Sequence, residues 1–353
     1  MKRYKAVVVG CGPRGRDHAK CFLKNSERFE LAAICDQDGA RLETTHGELK
    51  ASPWNATVKG YKDAKEMIER ERPDVFCFAM LPGVRWPLIE LALKYDFIKA
   101  IAYEKPMALS LGEAEKIHTS CKARGVKTVV AHIHKYAGHW RKVKELMDRG
   151  EIGTVHTLHA SSLGWAMQYS THLVDYLLWL NGGSRAKWVV GHAHGKGKLE
   201  NESHTSPDYV MAQFECENGV RCIFESGTLA PNLPPGKLNF WLDAGATVHG
   251  SDGYAQVVVG GGWRAATKTS GGLSSSSDVK FHQLEDGYQY IADLAKWLDN
   301  DECLHPCNNE VTYHGYQIVM GACLSALERR KVDLPILDTS VDIFERMKKE
   351  FPA

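Results

Sequence analysis

The chain has 353 residues, of which 44% are hydrophobic and 25% charged, so it is long enough for two domains with separate cores. Lys and Arg total 44 and Asp and Glu total 43, which leaves a formal net charge of +1. This balance excludes the positive field by which proteins capture nucleic acid or an anionic membrane surface. The sequence also lacks a signal-peptide core, a long uncharged run and a CxxC pair. We therefore expect a cytoplasmic protein with reduced thiols and without nucleic-acid or membrane partners.

The first third of the chain alternates strand-like and helix-like segments. Short apolar runs rich in β-branched residues predict strands at Ala6–Val9, Leu31–Cys35, Val75–Met80, Ile98–Tyr103 and Thr128–Ile133. Helical patterns fall between them, at Arg14–Asn25, Ala64–Arg72, Arg85–Tyr95 and Leu111–Ala123. This alternation predicts right-handed βαβ crossovers and a parallel sheet, and hence an α/β Rossmann domain over residues 1–128.

The pattern changes after a predicted helix at His139–Arg149. Strand-like segments then follow one another, at Val155–Leu163, Trp188–His194, Tyr209–Phe214, Val220–Glu225, Leu238–Leu242 and Ala255–Val259. Helices are predicted at Thr171–Leu180, Tyr288–Leu298 and His314–Arg329, and a polar loop at Thr267–Asp278. Over residues 129–353 this order predicts an α+β domain with a large, mainly antiparallel open sheet.

A glycine-rich segment follows the first predicted strand and opens the first helix. Its sequence, Gly10-Cys11-Gly12-Pro13-Arg14-Gly15, matches GxGxxG, in which the glycines allow a tight turn, close approach to a pyrophosphate and close helix–strand packing. The second strand ends at Asp36, where a carboxylate accepts hydrogen bonds from ribose hydroxyls and repels a 2′-phosphate. Gln37 follows, not an arginine, so NAD is favoured over NADP; the alternative is a tight turn beside a surface aspartate.

Another candidate segment is Tyr103-Glu104-Lys105-Pro106, at the end of a predicted parallel strand. The carboxyl ends of parallel strands form the ligand-binding edge of such a sheet. From spacing alone, Lys105 is either a cation beside the nicotinamide or part of a solvated strand end.

Together these motifs resemble the Gfo/Idh/MocA oxidoreductases, which include glucose–fructose oxidoreductase and inositol dehydrogenase. The resemblance covers nearly the whole chain. It rests on the glycine-rich motif with His18, the Glu104-Lys105-Pro106 segment, His172 with Asp175, Arg149–Gly153, Ala322–Ala326 and Val332–Pro335.

The resemblance implies that Lys105 hydrogen-bonds the reacting hydroxyl and that His172 acts as general base or acid. Hydride leaves a secondary alcohol carbon only as the O–H proton is removed, which requires a base with a pKa near neutrality, such as histidine. Lysine stabilises the developing negative oxygen. The resemblance also implies a homodimer or homotetramer formed through the second-domain sheet. The expected cofactor contacts are Gly10, Cys11, Gly12, Pro13, Arg14, Gly15, Asp36, Pro82, Trp86, Glu104 and Lys105.

The sequence departs from the family pattern at two places. Many members carry an aspartate four residues before the histidine, where this chain has Gln168, so His172 works without a carboxylate partner or Tyr169 takes part. The segment Pro82-Gly83-Val84-Arg85-Trp86 replaces a common proline-asparagine…histidine motif, and Trp86 lies along the nicotinamide or the substrate, or packs between domains. Trp165 stacks on a sugar face or belongs to the core. The expected substrate contacts are Lys105, Trp165, Gln168, Tyr169 and His172.

Other histidines and cysteines form weaker candidates. His192 with His194, and Cys303 with His305 and Cys307, lack a second ligand pair at zinc-site spacing, so we predict no metal site. His132 and His134 are possible substrate contacts near the end of a predicted strand.

The expected function is an NAD-dependent oxidoreductase that transfers a hydride between a nicotinamide and a secondary hydroxyl or ketone of a sugar, glycoside or cyclitol. The alternative is a redox-neutral enzyme that uses tightly bound NAD to oxidise a sugar transiently before an elimination. A non-catalytic dinucleotide-binding protein on the same fold is a third hypothesis, against which the presence of both Lys105 and His172 argues.

Overall fold

The computed structural model describes residues 2–54, 56–195, 206–231, 241–276 and 282–350. The chain divides into two compact units, each built from separate stretches of sequence. The first comprises Met1–Ala108, Lys116–Ile133 and His282–Asn309, and the second comprises Leu109–Glu115, His134–Phe281 and Glu310–Ala353. The domain boundary expected between residues 128 and 129 stays a prediction.

The first unit contains a parallel six-stranded sheet in the order β3-β2-β1-β4-β5-β6. The strands are β1 (Tyr4–Val9), β2 (Phe29–Cys35), β3 (Lys59–Tyr61), β4 (Val75–Phe78), β5 (Ala100–Tyr103) and β6 (Lys127–Val130). The helices along this part of the chain are α1 (Pro13–Lys24), α2 (Gly39–Ala51), α3 (Ala64–Glu71), α4 (Arg85–Ala92) and α5 (Leu111–Ala123). The central strands are apolar at nearly every position because both faces of a parallel sheet are covered. The predicted Rossmann architecture is confirmed.

The second unit contains a nine-stranded sheet in the order β14-β13-β12-β11-β7-β10-β9-β8-β15, in which only the β7–β10 pair is parallel. The strands are β7 (Val155–Ser162), β8 (Ala186–His194), β9 (Tyr209–Cys216), β10 (Arg221–Gly227), β11 (Gly245–Gly250), β12 (Gly253–Val258), β13 (Gly262–Ala266), β14 (Leu273–Ser276) and β15 (Val332–Asp333). The helices are α6 (Gly138–Asp148), α7 (Ala166–Leu180), α8 (Gln283–Asp299, which belongs to the first unit), α9 (Asn309–Glu328) and α10 (Ile343–Glu350). The predicted mainly antiparallel sheet is confirmed, and α7 packs on its central strands.

Several predicted segments differ from the structure. The strand expected over Thr128–Ile133 ends at Val130, and a 3-10 turn follows at Ile133–Tyr136. The polar loop expected over Thr267–Asp278 is wrong at Leu273–Ser276, which pairs with β13; its last two residues lie outside the described part of the chain. The strand expected at Leu238–Leu242 is wrong at its last two residues, which form a turn, and the other three are not among the described residues. Within the described ranges, no helix is both long and apolar enough to span a bilayer.

Candidate active site

The glycine-rich turn joins β1 to α1 and leaves open space at the start of the helix. Gly10 has a φ of +92°, and a Cβ on it would lie 2.6 Å from the carbonyl oxygen of Ala79. A Cβ on Gly15 would lie 1.7 Å from the carbonyl oxygen of Gly10, so both positions require glycine. Gly12 differs, because a Cβ there would have no protein atom within 4 Å. This open approach to a helix N-terminus fits a pyrophosphate.

Asp36 lies directly beside this turn. Its Oδ2 accepts a hydrogen bond from the backbone N–H of Cys11 at 2.8 Å, and its Oδ1 accepts one from the N–H of Asp38 at 2.9 Å. The guanidinium of Arg41 lies 3.7 Å from Oδ1. The structure therefore brings the predicted ribose-binding carboxylate against the predicted pyrophosphate turn, in the arrangement that dinucleotide recognition needs.

Glu104 connects the glycine-rich helix to the segment that carries Lys105. Arg14 donates to its Oε1 from Nε at 2.9 Å and from Nη2 at 2.6 Å, and Nε2 of His18 lies 2.9 Å from the same oxygen. Burial favours the neutral acid, but the charge of Arg14 and the hydrogen bond from His18 outweigh burial and hold the pKa of Glu104 well below its usual range. Glu104 and Arg14 thus form an ion pair that holds both side chains in place. Contact of either residue with the cofactor stays a prediction.

Lys105 is held by a residue that the sequence did not single out. Buried Arg85, on α4, donates from Nη2 to the carbonyl oxygen of Lys105 at 2.9 Å and to that of Met80 at 3.4 Å. No local pattern reveals this contact, because it joins residues 20 positions apart. The neighbouring Pro82 is buried at the start of a 3-10 turn, and the ammonium of Lys116 lies 4.1 Å from the ring centroid of Trp86. Contacts of Pro82 and Trp86 with the cofactor stay predictions.

Helix α7 carries most of the predicted substrate-side residues. Trp165 lies immediately before its first residue, and Gln168, Tyr169 and His172 lie within it and are buried. The ring centroid of Tyr169 lies 5.7 Å from that of His172 and 5.6 Å from that of Trp241. Trp241 is an aromatic neighbour that was not predicted from the sequence. Burial, reinforced by the charge of Asp243, raises the pKa of Tyr169 far above its usual value. Its phenol therefore stays protonated near neutral pH, which argues against Tyr169 as the base.

Asp175 pairs with Lys135, from the 3-10 turn before α6. The ammonium of Lys135 donates to Oδ1 of Asp175 at 2.7 Å, and the two side chains are only 2% and 5% exposed. Burial raises the pKa of Asp175 to about 6, although the positive charge of Lys135 opposes the shift. The carboxylate three residues after His172 is therefore engaged in a buried ion pair.

Of the possible metal ligands, His305 makes hydrogen bonds with the backbone. Nε2 of His305 lies 2.9 Å from the carbonyl oxygen of Tyr290, and its Nδ1 accepts a hydrogen bond from the N–H of Cys307 at 3.0 Å. His192 and His194 are exposed on β8. Across the described ranges, no three His, Cys, Asp or Glu side chains group closely enough to hold a metal ion.

Two family profiles match most of the chain. Residues 4–132 match the GFO_IDH_MocA profile, described as "Oxidoreductase family, NAD-binding Rossmann fold", and residues 140–256 match the GFO/IDH/MocA C-terminal domain. The chain belongs to the GFO/IDH/MocA oxidoreductase family. This membership confirms the predicted family, the NAD cofactor and the assignment to NAD-dependent oxidoreductases.

Similar proteins include named dehydrogenases. D-apiose dehydrogenase from Paraburkholderia graminis is 29% identical over 154 residues, which cover 44% of this chain and only 39% of that enzyme. Inositol 2-dehydrogenase 3 from Saccharopolyspora erythraea is 27% identical over 312 residues, and the match covers 83% of each chain. The structure of a levoglucosan dehydrogenase with NADH and levoglucosan shares the fold, with a TM-score of 0.77 at 15% identity over 95% of this chain and 100% of that one.

Proposed function

We propose that this family member is a dehydrogenase that transfers a hydride between NAD and a secondary hydroxyl or ketone of a sugar, glycoside or cyclitol. The observation that carries the proposal is the pair of contacts that Arg14 and His18 make with Glu104. These contacts connect the segment bearing Lys105 to the helix that follows the glycine-rich turn. The named relatives act on an apiose, an inositol and levoglucosan, which supports a polyhydroxylated substrate.

In this proposal the reacting hydroxyl is handled by Lys105 and His172. Bound NAD supplies the hydride acceptor, or NADH the donor. Lys105 donates a hydrogen bond to the substrate oxygen and stabilises its developing negative charge. His172 accepts the hydroxyl proton, since a neutral imidazole is a competent base near pH 7. Trp165, Gln168 and Tyr169 contact the remainder of the substrate.

The test combines a substrate panel with a matched pair of variants. The protein is incubated with NAD and a set of sugars, cyclitols and glycosides, and each product is analysed by mass spectrometry. A product two hydrogens lighter with matching NADH supports the proposal; a cleaved or dehydrated product without net NADH supports transient oxidation and elimination instead.

Lys105→Met should abolish turnover while NAD binding is retained. Lys99→Met is the control, because Lys99 precedes β5 whereas Lys105 follows it, at the opposite end of the same strand. Full activity in Lys105→Met would remove Lys105 from the mechanism, and loss of activity in Lys99→Met would show that the assay reports fold damage.

We also propose that the outward face of the nine-stranded sheet joins copies of this chain into a homodimer or homotetramer. Val190 on β8 and Met211 on β9 lie on this face and are 44% and 37% exposed. His192, two residues after Val190, is in register with Met211, so the two apolar side chains are close neighbours. Exposed apolar side chains that are grouped on one surface are typical of protein–protein contacts.

A further inference from the structure

A second histidine stacks on the proposed catalytic histidine. His134, in the 3-10 turn Ile133–Tyr136, has its ring centroid 4.4 Å from that of His172, and the two ring planes differ by only 11°. Both side chains are buried. The contact joins two residues that are 38 positions apart in sequence, within the second unit.

Tyr176 holds His134 in this position. Nδ1 of His134 and the hydroxyl of Tyr176 form a hydrogen bond, and Tyr176 lies one helical turn after His172 on α7. The ring of Trp140 packs 4.2 Å from that of Tyr176. Burial raises the pKa of Tyr176 well above its usual value, so the phenol stays neutral across the working pH range. His134 is therefore anchored by a group that contributes no charge.

The nearby carboxylates already have partners. Among the described residues of the second unit, the ionisable groups around the stacked pair include Tyr169, Asp175 and Tyr176 on α7 and Lys135 in the 3-10 turn, and Asp243, before β11, acts on Tyr169. Asp175 pairs with Lys135, and Asp243 accepts hydrogen bonds from the Ser162 hydroxyl and the Leu163 N–H at 2.9 Å and 2.7 Å. Gln168, one turn before His172, carries no charge.

We propose that His134 is the positioning residue for His172, and that the stacked pair takes up a single proton before it can take up two. The parallel ring holds the imidazole plane of His172, and two protonated rings at this separation repel each other in a buried site. A proton on either ring therefore disfavours a proton on the other, and when His134 holds the first proton His172 remains available as a base at lower pH than a lone histidine. The inference rests on the proposed function only where it concerns turnover.

The test replaces His134 by an aromatic ring that cannot ionise. In His134→Phe, the protonation of His172 is followed by NMR, with its signal identified from its loss in His172→Gln. We expect His172 to take up its proton about one pH unit higher in His134→Phe than in the unchanged protein, because interacting histidines shift each other by about that much. The acidic limb of the kcat/KM profile should move by the same amount, with NAD affinity unchanged.

His134→Ala separates positioning from protonation. Without the ring, kcat should fall by about 10- to 100-fold at every pH because His172 is no longer held in one orientation. His134→Asn, which also removes the ionisable ring, replaces the Phe variant in the titration if that variant does not fold.

An identical titration of His172 with and without the imidazole at position 134 would overturn the inference. The NMR titration needs no turnover, so the two proposals fail separately. If the titration of His172 shifts but the protein oxidises no sugar or cyclitol, the proposed function is rejected and the coupling between His134 and His172 stands. If the titration of His172 does not shift but the protein is an active dehydrogenase, the coupling is rejected and the proposed function stands.

Discussion

Two glycines of one turn, three residues apart, face opposite constraints. The space around Gly15 is filled by the carbonyl oxygen of Gly10, which belongs to the protein itself. The space around Gly12 contains no protein atom within 4 Å, and its φ of −68° suits any residue. Folding therefore requires glycine at position 15, whereas the role of Gly12 in dinucleotide binding stays a prediction.

Alanine substitutions should separate these two roles. Gly15→Ala should lower the free energy of unfolding by about 3 kcal/mol, because the methyl group overlaps a backbone carbonyl that has little room to shift. Gly12→Ala should leave the free energy of unfolding nearly unchanged but weaken NAD binding by at least about tenfold, as measured by calorimetry. Gly47→Ala, in the middle of α2 with no atom near its added methyl group, is the control for a neutral or stabilising change. An unchanged NAD affinity in Gly12→Ala would place the pyrophosphate elsewhere.

At the scale of one element, α7 depends on the buried pair between Lys135 and Asp175. Asp175→Asn keeps the shape of the side chain but leaves the Lys135 ammonium facing a neutral amide. The free energy of unfolding should fall by about 3 to 5 kcal/mol in chemical denaturation at pH 8, above the Asp175 pKa of about 6. The double variant Lys135→Met with Asp175→Leu should recover most of this loss.

The matched control for this pair lies on the surface. Glu69→Gln breaks the i,i+4 pair between Lys65 and Glu69, whose side chains are 63% and 51% exposed, and should change the stability by less than about 0.5 kcal/mol. If Asp175→Asn and Glu69→Gln lower the free energy of unfolding equally, burial adds nothing to the contribution of the Lys135–Asp175 pair.

The elements that the sequence predicted are those with strong hydrophobic patterning. β1 and β4 are short apolar runs between clear turns, and both were found. α2 buries only Leu42, Thr45 and Leu49 and contains Gly47, so its periodicity is weak, and it was missed. β14 consists largely of serine and exists because β13 offers an edge for pairing, which no local pattern encodes.

The same distinction applies to the candidate site. The glycine-rich turn, Asp36 and Glu104-Lys105-Pro106 are local motifs, and the sequence identified them directly. The contacts of Arg85 with Lys105 and of His134 with His172 join distant positions, so they required the folded chain. The candidate reacting groups could therefore be predicted from the sequence. The residues that contact and position them could be identified only from the structure.

At the scale of the whole molecule, the proposed self-association through the sheet predicts a specific disruption. Met211→Lys places a charge beside Val190 on the outward face and should convert the oligomer to monomers in sedimentation velocity. Leu337→Lys is the control, because Leu337 is 89% exposed and belongs to none of the strands. A chain that is already monomeric, or an oligomer that survives Met211→Lys, would move the interface away from this surface.

The stability of the molecule should also depend on pH through two buried histidines, His139 on α6 and His314 on α9. Burial lowers the pKa of each to about 4; backbone hydrogen bonds oppose the shift at His139, and the charge of Arg185 adds to it at His314. An unfolded histidine has a pKa of about 6.5, so between pH 6.5 and 4 the unfolded chain binds more protons than the folded one. The free energy of unfolding should therefore fall by about 2 kcal/mol per histidine from pH 7 to pH 5. Asp175, with its raised pKa, opposes part of this fall, because the folded state then holds the extra proton.

A substitution at His314 isolates its share of this dependence. Nε2 of His314 accepts a hydrogen bond from the N–H of Ala186 at 2.8 Å, and a glutamine side-chain oxygen can accept the same bond without titrating. In His314→Gln, the fall in the free energy of unfolding between pH 7 and pH 5 should be about 2 kcal/mol smaller than in the unchanged protein. His282→Gln, at an exposed position before α8, should leave the fall unchanged. If His314→Gln and the unchanged protein lose the same stability over this range, proton uptake by the unfolded chain at His314 is not the cause.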